Sequence, residues 1–427
     1  MDTLFSVLAF FLFLQSIVAF LSALRFLRRA TRTTSATDFY APKAAVVVPC
    51  KGIEPGFAEN INALLAQDYR RYDLIFVTES EADPAYAALT DLIKESDHAA
   101  WLVVAGESEG RGQKVHNLCA ALEMLDAVDR RTEVLVFADA DARPAPHWLR
   151  ELVAPLGNQR VGATTGFRWH TPVNFLSSLL STWNASAAGL LGERSSFAWG
   201  GAMAIRREDF ERLQIKQDWQ GAVSDDYTLS RAVLSSGMDI KFVPACLMPS
   251  EGGMTLGGLL EFTTRQLIIT RFYAPRLWRL AAFAHALFNL TFWGGLAYEL
   301  VKASLMPGGE QGSEMLLPLL AGIYALGACT GGIRALTAAK FLPEPASVQV
   351  RKHLWAYALL GPVASLLYLY NLAVSAFTNR IVWRGIGYEL RSPEETFIWQ
   401  RPLLPEMFDQ PLEPRERKSS EAAPSSS

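Results

Sequence analysis

Three short stretches of the chain hold residue types that can do chemistry. In "VLVFADADARP" an apolar run, Val134 to Ala138, stops at Asp139, Ala140 and Asp141. Two carboxylates one residue apart at a strand end suit either a turn or a site for a hard cation, which prefers oxygen ligands. In "GRGQKVHNL" Lys114 sits where a glycine-containing loop runs into a helix pattern. A lysine at a helix start can meet a phosphate beside free backbone N–H groups, and a solvated surface lysine is the plainer reading. In "AVSDDYTLSRAV" Ser224, Asp225 and Asp226 precede another helix pattern. One of them suffices to cap that helix, and a second carboxylate is left over for acid–base work.

These residues need a frame that brings them together. Four β-type runs, "AAVVVPC", "YDLIFVTES", "AAWLVVAG" and "EVLVFADAD", alternate with polar segments long enough for helices. That alternation predicts an α/β domain over residues 33–255 with a mostly parallel sheet. In such sheets ligands bind at the carboxyl ends of the strands. Glu79, Glu81, Asp83, Asp139 and Asp141 all fall there, and they would repel one another unless a cation or hydrogen-bond donors lay between them. No GxGxxG or GxxxxGK[ST] phosphate loop follows any of these strands, which argues against dinucleotide-binding and P-loop enzymes.

Membrane segments flank this middle. Residues 4–24 carry no charge and are long enough to cross about 30 Å of hydrocarbon. Arg25, Arg28, Arg29 and Arg32 follow, so residues 1–32 read as an anchor with a basic flank, not as a cleaved signal peptide. The positive-inside rule then places the domain in the cytoplasm, at the inner membrane if the cell is bacterial. Three more apolar stretches, 280–300, 315–333 and 354–377, lie within a predicted membrane region 280–378. Three crossings would put the tail, residues 379–427, opposite the domain despite its Arg380, Arg384 and Arg391. Either one stretch is re-entrant or interfacial, with Pro318 and the Gly361-Pro362 break as suspects, or the tail does lie outside. The last residues, "RERKSSEAAPSSS", read as disordered. Between domain and helices, residues 256–279 interleave Arg265, Arg271, Arg276 and Arg279 with aromatics, a pattern suited to the bilayer interface and to guiding a lipid.

The formal net charge of −3 gives no basic field for nucleic acid. The four cysteines form no CxxC pair, and His116, His147 and His170 lack metal-ligand spacing. A transporter would place polar residues in its spans, not in a soluble domain, and a scaffold would have no need of the acids.

"VVVPCKG", "NINALLAQDYRRYDLIFV", "ADPA", "KVHNL", "FADADARP", "WGGAMAIRRE" and "SDDYTLSRAV" together resemble, in order and approximate spacing, the family 2 glycosyltransferases with the A-type fold. The membrane-bound branch containing ceramide glucosyltransferases is the most similar. The resemblance implies an inverting hexosyltransferase that moves a sugar from a nucleotide donor, a UDP-sugar above all, to a membrane lipid. It implies contact of Glu79 or Asp83 with the base, Lys114 with the diphosphate and Asp139 with the ribose or sugar. Asp141, with Asp139, would hold a divalent cation, Mg2+ or Mn2+. Asp226 would be the general base and Asp225 its support. Trp199 and Gly200, an aromatic beside glycines, suit either core packing at a strand turn or the acceptor side, where glycine permits close ligand approach. The Q/RxxRW motif of many relatives is absent: Ile268 and Ile269 stand where its Arg and Trp would follow Arg265, leaving Gln266 and Arg271 as nearest substitutes. A polysaccharide synthase and a polyprenyl-phosphate glycosyltransferase are the alternative enzymes.

Overall fold

The computed structural model describes residues 1–32, 40–191, 196–305 and 315–401. The four β-type runs form parallel strands β1 (Ala44–Pro49), β2 (Tyr72–Thr78), β3 (Ala100–Val104) and β4 (Val134–Ala138). Crossover helices α2 (Phe57–Leu65), α3 (Pro84–Glu95) and α4 (Gln113–Val128) join them. Because side chains alternate along a strand, each strand feeds two cores. Val46, Val48, Leu74, Phe76 and Val136 pack with α2 and α3, whereas Ala45, Val47, Ile75, Val77 and Phe137 pack with α4. Burial on both faces explains the unbroken apolar runs.

The second half of the domain comprises α5 (Trp148–Val153), β5 (Val161–His170), α6 (Phe175–Ala187), β6 (Ala202–Arg206), α7 (Arg207–Arg212), α8 (Ile215–Asp218), α9 (Asp225–Ser235) and β7 (Asp239–Ser250). The sheet order is β3-β2-β1-β4-β6-β5-β7. Only β6 runs against its neighbours, so the sheet is mostly parallel, as expected. That single reversal matters for the site. It pairs Ala138 with Ala202 and brings the Trp199-Gly200-Gly201 segment, which enters β6, against the carboxyl end of β4.

Outside the domain lie α1 (Asp2–Arg32), α10 (Leu256–Tyr273), α11 (Pro275–Leu305), α12 (Leu316–Ala339), α13 (Ala346–Lys352), α14 (Leu354–Leu359) and α15 (Gly361–Phe377). Among the described residues α1, α11 and α12 are long and apolar enough to cross a membrane, one N-terminal and two C-terminal helices. The expected third C-terminal span is instead broken at Leu360, with Pro362 in the first turn of α15. At 1.5 Å per residue its 17 residues reach only about 26 Å. α15 docks on the domain's α6: the Tyr368 ring stacks on Trp183 at 4.7 Å, and its hydroxyl donates to the Trp183 carbonyl at 3.1 Å.

Residues 379–427, expected as a polar tail, begin with structure. β8 (Arg380–Trp383), β9 (Ile386–Ser392) and β10 (Glu395–Gln400) form an antiparallel sheet. Alternate residues of β9, Ile386, Tyr388 and Leu390, join Ile381 in a core with Val223, Ile268 and Ile269, while Glu389 and Arg391 face away. Ile386, Tyr388 and Leu390 alternate with Gly387, Glu389 and Arg391, the period of a half-buried strand. The expected disordered end lies outside the described residues. Since the sheet seats on the domain, residues 380–401 and the domain share one side of any bilayer. α11 and α12 are the two C-terminal helices long enough to cross, an even number, and the stretch expected as a third span is interrupted at Leu360 before Gly361-Pro362.

Candidate active site

The central strand β4 delivers Asp139 and Asp141 just past its carboxyl end, and neighbours fix the turn that carries them. Asn60 of α2 donates to the Ala140 carbonyl at 3.2 Å, and the Asp139 backbone N–H donates to the Gly201 carbonyl at 3.2 Å. Lys114, at the start of α4, reaches across: its Nζ lies 2.8 Å from Asp139 Oδ1 and 3.3 Å from Asp225 Oδ2, and donates to the Gly200 carbonyl at 3.1 Å. One ammonium thus ties the two acidic stretches and the glycine segment together. Burial opposes its charge, yet Asp139, Asp225 and Asp226 hold its pKa above the ordinary lysine value.

Ser224 caps α9, accepting from the Tyr227 N–H at 3.1 Å. The cap sets Asp225 and Asp226 in the first turn, where the helix dipole favours negative charge. Asp226 Oδ1 accepts from Ser224 Oγ at 2.5 Å and from Tyr227 N at 2.7 Å, and Oδ2 accepts from Gly200 N at 3.2 Å. Asp225 is buried. Burial pushes its pKa up, to about 6, with the Asp226 and Asp139 carboxylates adding to the rise and Lys114 opposing it.

Both glycines of the Trp199-Gly200-Gly201 segment are sterically required. A β-carbon at Gly200 would overlap Asp225 Oδ2 and lie 2.8 Å from Lys114 Nζ. One at Gly201 would overlap the Trp199 ring and lie 2.6 Å from Asp139 Oδ2. Trp199 and Gly200 therefore belong to the site by contact with its acids and cations.

Two arginines that the sequence does not announce complete the cluster. Arg168, on β5, donates to Asp139 Oδ2 at 3.0 Å and to Asp141 at 3.1 and 2.6 Å through its two terminal nitrogens. Its guanidinium lies over the Trp199 ring, 5.2 Å from the centroid. Burial works against its charge, but Asp141 and Asp139 keep its pKa above the usual arginine value. Arg384 projects from the β8–β9 turn, with left-handed backbone (φ 53°); it pairs with Glu54 and lies 3.6 Å from Asp141. For Asp139, burial favours the neutral acid, but Lys114, Arg168 and Arg384 outweigh it and lower the pKa.

The two candidate base-contacting acids separate in role. Asp83 caps α3: its Oδ1 accepts from Ala85 N at 2.8 Å and from Gly52 N at 2.9 Å, pinning the loop after β1. Glu79 is buried against Lys51, with Arg401 at 3.9 Å, and its Oε2 accepts no hydrogen bond. Arg401 also donates to the Ser108 carbonyl, and Tyr388 accepts from Gln113 N at 3.1 Å, so the tail sheet frames this end of the site too. Arg271 lies elsewhere. It donates to the Ser375 and Ala376 carbonyls, the latter at 2.7 Å, capping the C-terminus of α15. Gln266 lies on α10, where its carbonyl accepts from Thr270. The arginine of α10 that faces the tail is Arg265, placed over Trp383 at 5.6 Å and donating to the Val382 carbonyl at 3.2 Å.

No group of three or more His, Cys, Asp or Glu residues converges as a metal site among the described residues. Two carboxylates do converge. Arg168 Nη2 touches Asp139 Oδ2 and Asp141 Oδ1 at once, so a single positive centre can reach both. Two hard oxygens fit a Mg2+ or Mn2+ that draws its remaining ligands from phosphate and water.

An acidic pair after β4, Lys114 at the start of α4, Arg168 on β5 and Arg384 in the β8–β9 turn thus form one charged cluster, in a chain whose α1, α11 and α12 are long and apolar enough to cross a membrane. Residues 8–396 match the sequence profile of glycosyl transferase family 21, and the chain belongs to that family. It is a glycosyltransferase of family 21, where the motif order alone suggests family 2. Among solved structures, it is similar to a mannosyltransferase from Pyrobaculum calidifontis in complex with GDP-Man and Mn2+. That match has 18% identity and a TM-score of 0.47, covering 87% of this chain and 98% of that one. It is also similar to GalNAc-T7 with UDP, GalNAc and Mn2+, at 16% identity and a TM-score of 0.40, covering 58% and 51%.

Proposed function

We propose that this protein transfers a sugar from a nucleotide diphosphate sugar, with UDP-sugars first among donors, to a membrane lipid such as ceramide or a related lipid, inverting the anomeric centre. The observation that carries the reading is the convergence of Lys114 on Asp139 and Asp225 at 2.8 and 3.3 Å, which joins a diphosphate-type clamp to a second carboxylate pair.

Lys114, Arg168 and Arg384 supply positive charge toward the diphosphate. Glu79 and the loop pinned by Asp83 face the base. Asp141, with Asp139, would hold the divalent cation, which neutralises charge developing on the leaving diphosphate. Asp226 takes the proton of the acceptor hydroxyl as its oxygen bonds to the anomeric carbon. The bond from that carbon to the phosphate oxygen breaks on the opposite face, and its electron pair leaves with the diphosphate. Asp225 holds Lys114 in place, and the acceptor approaches past Trp199 and Gly200. The arginines in the last turns of α1, Arg25, Arg28, Arg29 and Arg32, support a cytoplasmic face for this chemistry.

The test is incubation of membranes containing the protein with a panel of labelled nucleotide sugars. Label should appear in the lipid extract, and both EDTA and Asp141→Ala should abolish it. Label confined to a polymer would instead identify a polysaccharide synthase.

A further inference from the structure

The positive centre that touches both clamp carboxylates is part of the chain itself. Arg168 Nη1 and Nη2 use both oxygens of Asp141 and one of Asp139, at 2.6 to 3.1 Å. These are the oxygens through which a cation would be held, and one oxygen lone pair cannot serve a guanidinium hydrogen and a metal ion together. Two further observations bear on where Arg168 can go. It lies on the face of Trp199, a platform that keeps a guanidinium near the site without any carboxylate. It also projects from β5, a ten-residue strand in the sheet, so only its side chain needs to turn.

We propose that Arg168 is an exchangeable counter-ion: it closes on Asp139 and Asp141 in the empty site, yields them to the divalent cation, and turns to the donor's diphosphate. The proposal rests on the clamp reading above and adds a competition to it. Held by Arg168, the two acids do not repel each other before the donor arrives. Once released, the planar fork of the guanidinium matches a phosphate oxygen pair. Cation and nucleotide then bind best together, because each relieves the cost of the other: the cation frees the arginine, and the diphosphate receives it.

The competition predicts effects of opposite sign, which a merely structural arginine would not produce. In full-length detergent-solubilised protein, Mn2+ alone is titrated by electron paramagnetic resonance, and UDP is titrated calorimetrically at saturating Mn2+. Arg168→Gln should bind Mn2+ at least about tenfold more tightly than the unaltered protein, since a competing buried ion pair is gone. The same variant should bind UDP at least about tenfold more weakly, having lost a charge-assisted contact. Arg168→Lys, which keeps the charge and loses the two-pronged reach, should fall between for Mn2+ and carries the test if the glutamine variant does not fold. Unchanged or weaker Mn2+ binding in both variants overturns the exchange. Asp141→Asn separates the two levels. If it retains full Mn2+ affinity, the clamp reading itself is wrong; if it loses Mn2+ while the Arg168 variants gain nothing, only the exchange is wrong.

Discussion

At Asp226 three donors converge, Ser224 Oγ and Tyr227 N on one oxygen and Gly200 N on the other, whereas Asp225 lies buried against Lys114. On the proposed mechanism, in which Asp226 takes the acceptor's proton, Asp226→Asn should lower kcat by about 10²–10⁴ with little change in UDP affinity. A proportionate loss of UDP binding would reassign it to the donor side. The raised pKa of Asp225 has a direct reading in pH. Its carboxylate, which holds Lys114, predominates above about pH 6 and is lost as the pH falls through that value. Activity should accordingly decline with unit slope below about pH 6, and Asp225→Asn should erase that limb from a kcat/KM profile. Arg384→Gln should raise the KM for the nucleotide sugar roughly fivefold, the scale of a half-exposed charge contact. The acids and Lys114 are legible in sequence because each closes a strand or opens a helix within a few residues. Arg168 and Arg384 are not: arginine is common, one lies inside a strand and the other in a turn hundreds of residues from its partner Glu54, and only the fold makes them neighbours.

The strand β4 positions the acid pair, and Phe137, two residues before Asp139, anchors it. That ring is fully buried, packed on Trp219 at 5.4 Å and Phe210 at 6.2 Å. Phe137→Ala should cost about 3–5 kcal/mol in chemical denaturation of the solubilised protein, the size of a buried aromatic deletion. β1, β2 and β4 are readable from sequence because burial on both faces produces apolar runs ending in polar residues, and the edge strand β3 because its run is equally apolar though half-exposed. The tail sheet is not, since its short strands bury only alternate residues and find their core partly in α10. Its seat is equally specific. A β-carbon at Gly221 would overlap the Glu394 carbonyl, and Thr396 Oγ1 donates to the Gly221 carbonyl at 2.8 Å. Gly221→Ala should lift the sheet, seen as new protease cleavage within residues 380–400 and weakened nucleotide binding.

Across the whole molecule, the tail sheet packs on the domain, so if α11 and α12 both cross, they form one excursion and return. In a Cys329→Ala background, single cysteines at Ser96 and Arg391 should be labelled by an impermeant reagent from the same face of membrane vesicles. A cysteine at Met315, at the turn-around end of α12, should be labelled from the opposite face. Labelling of Arg391 from the Met315 side would mean that α15 crosses after all. The sequence shows the spans as apolar lengths, but not that Tyr388, Arg384 and Arg401 bind residues 380–401 to α4, Asp141 and the loop before α4. Those contacts also set an order of events during biosynthesis. A ribosome makes Asp139 and Lys114 early and Arg384 near the end, after α11 and α12 have emerged. A chain stalled before residue 384 therefore leaves Asp141 and Glu54 without the guanidinium that lies beside them in the finished fold.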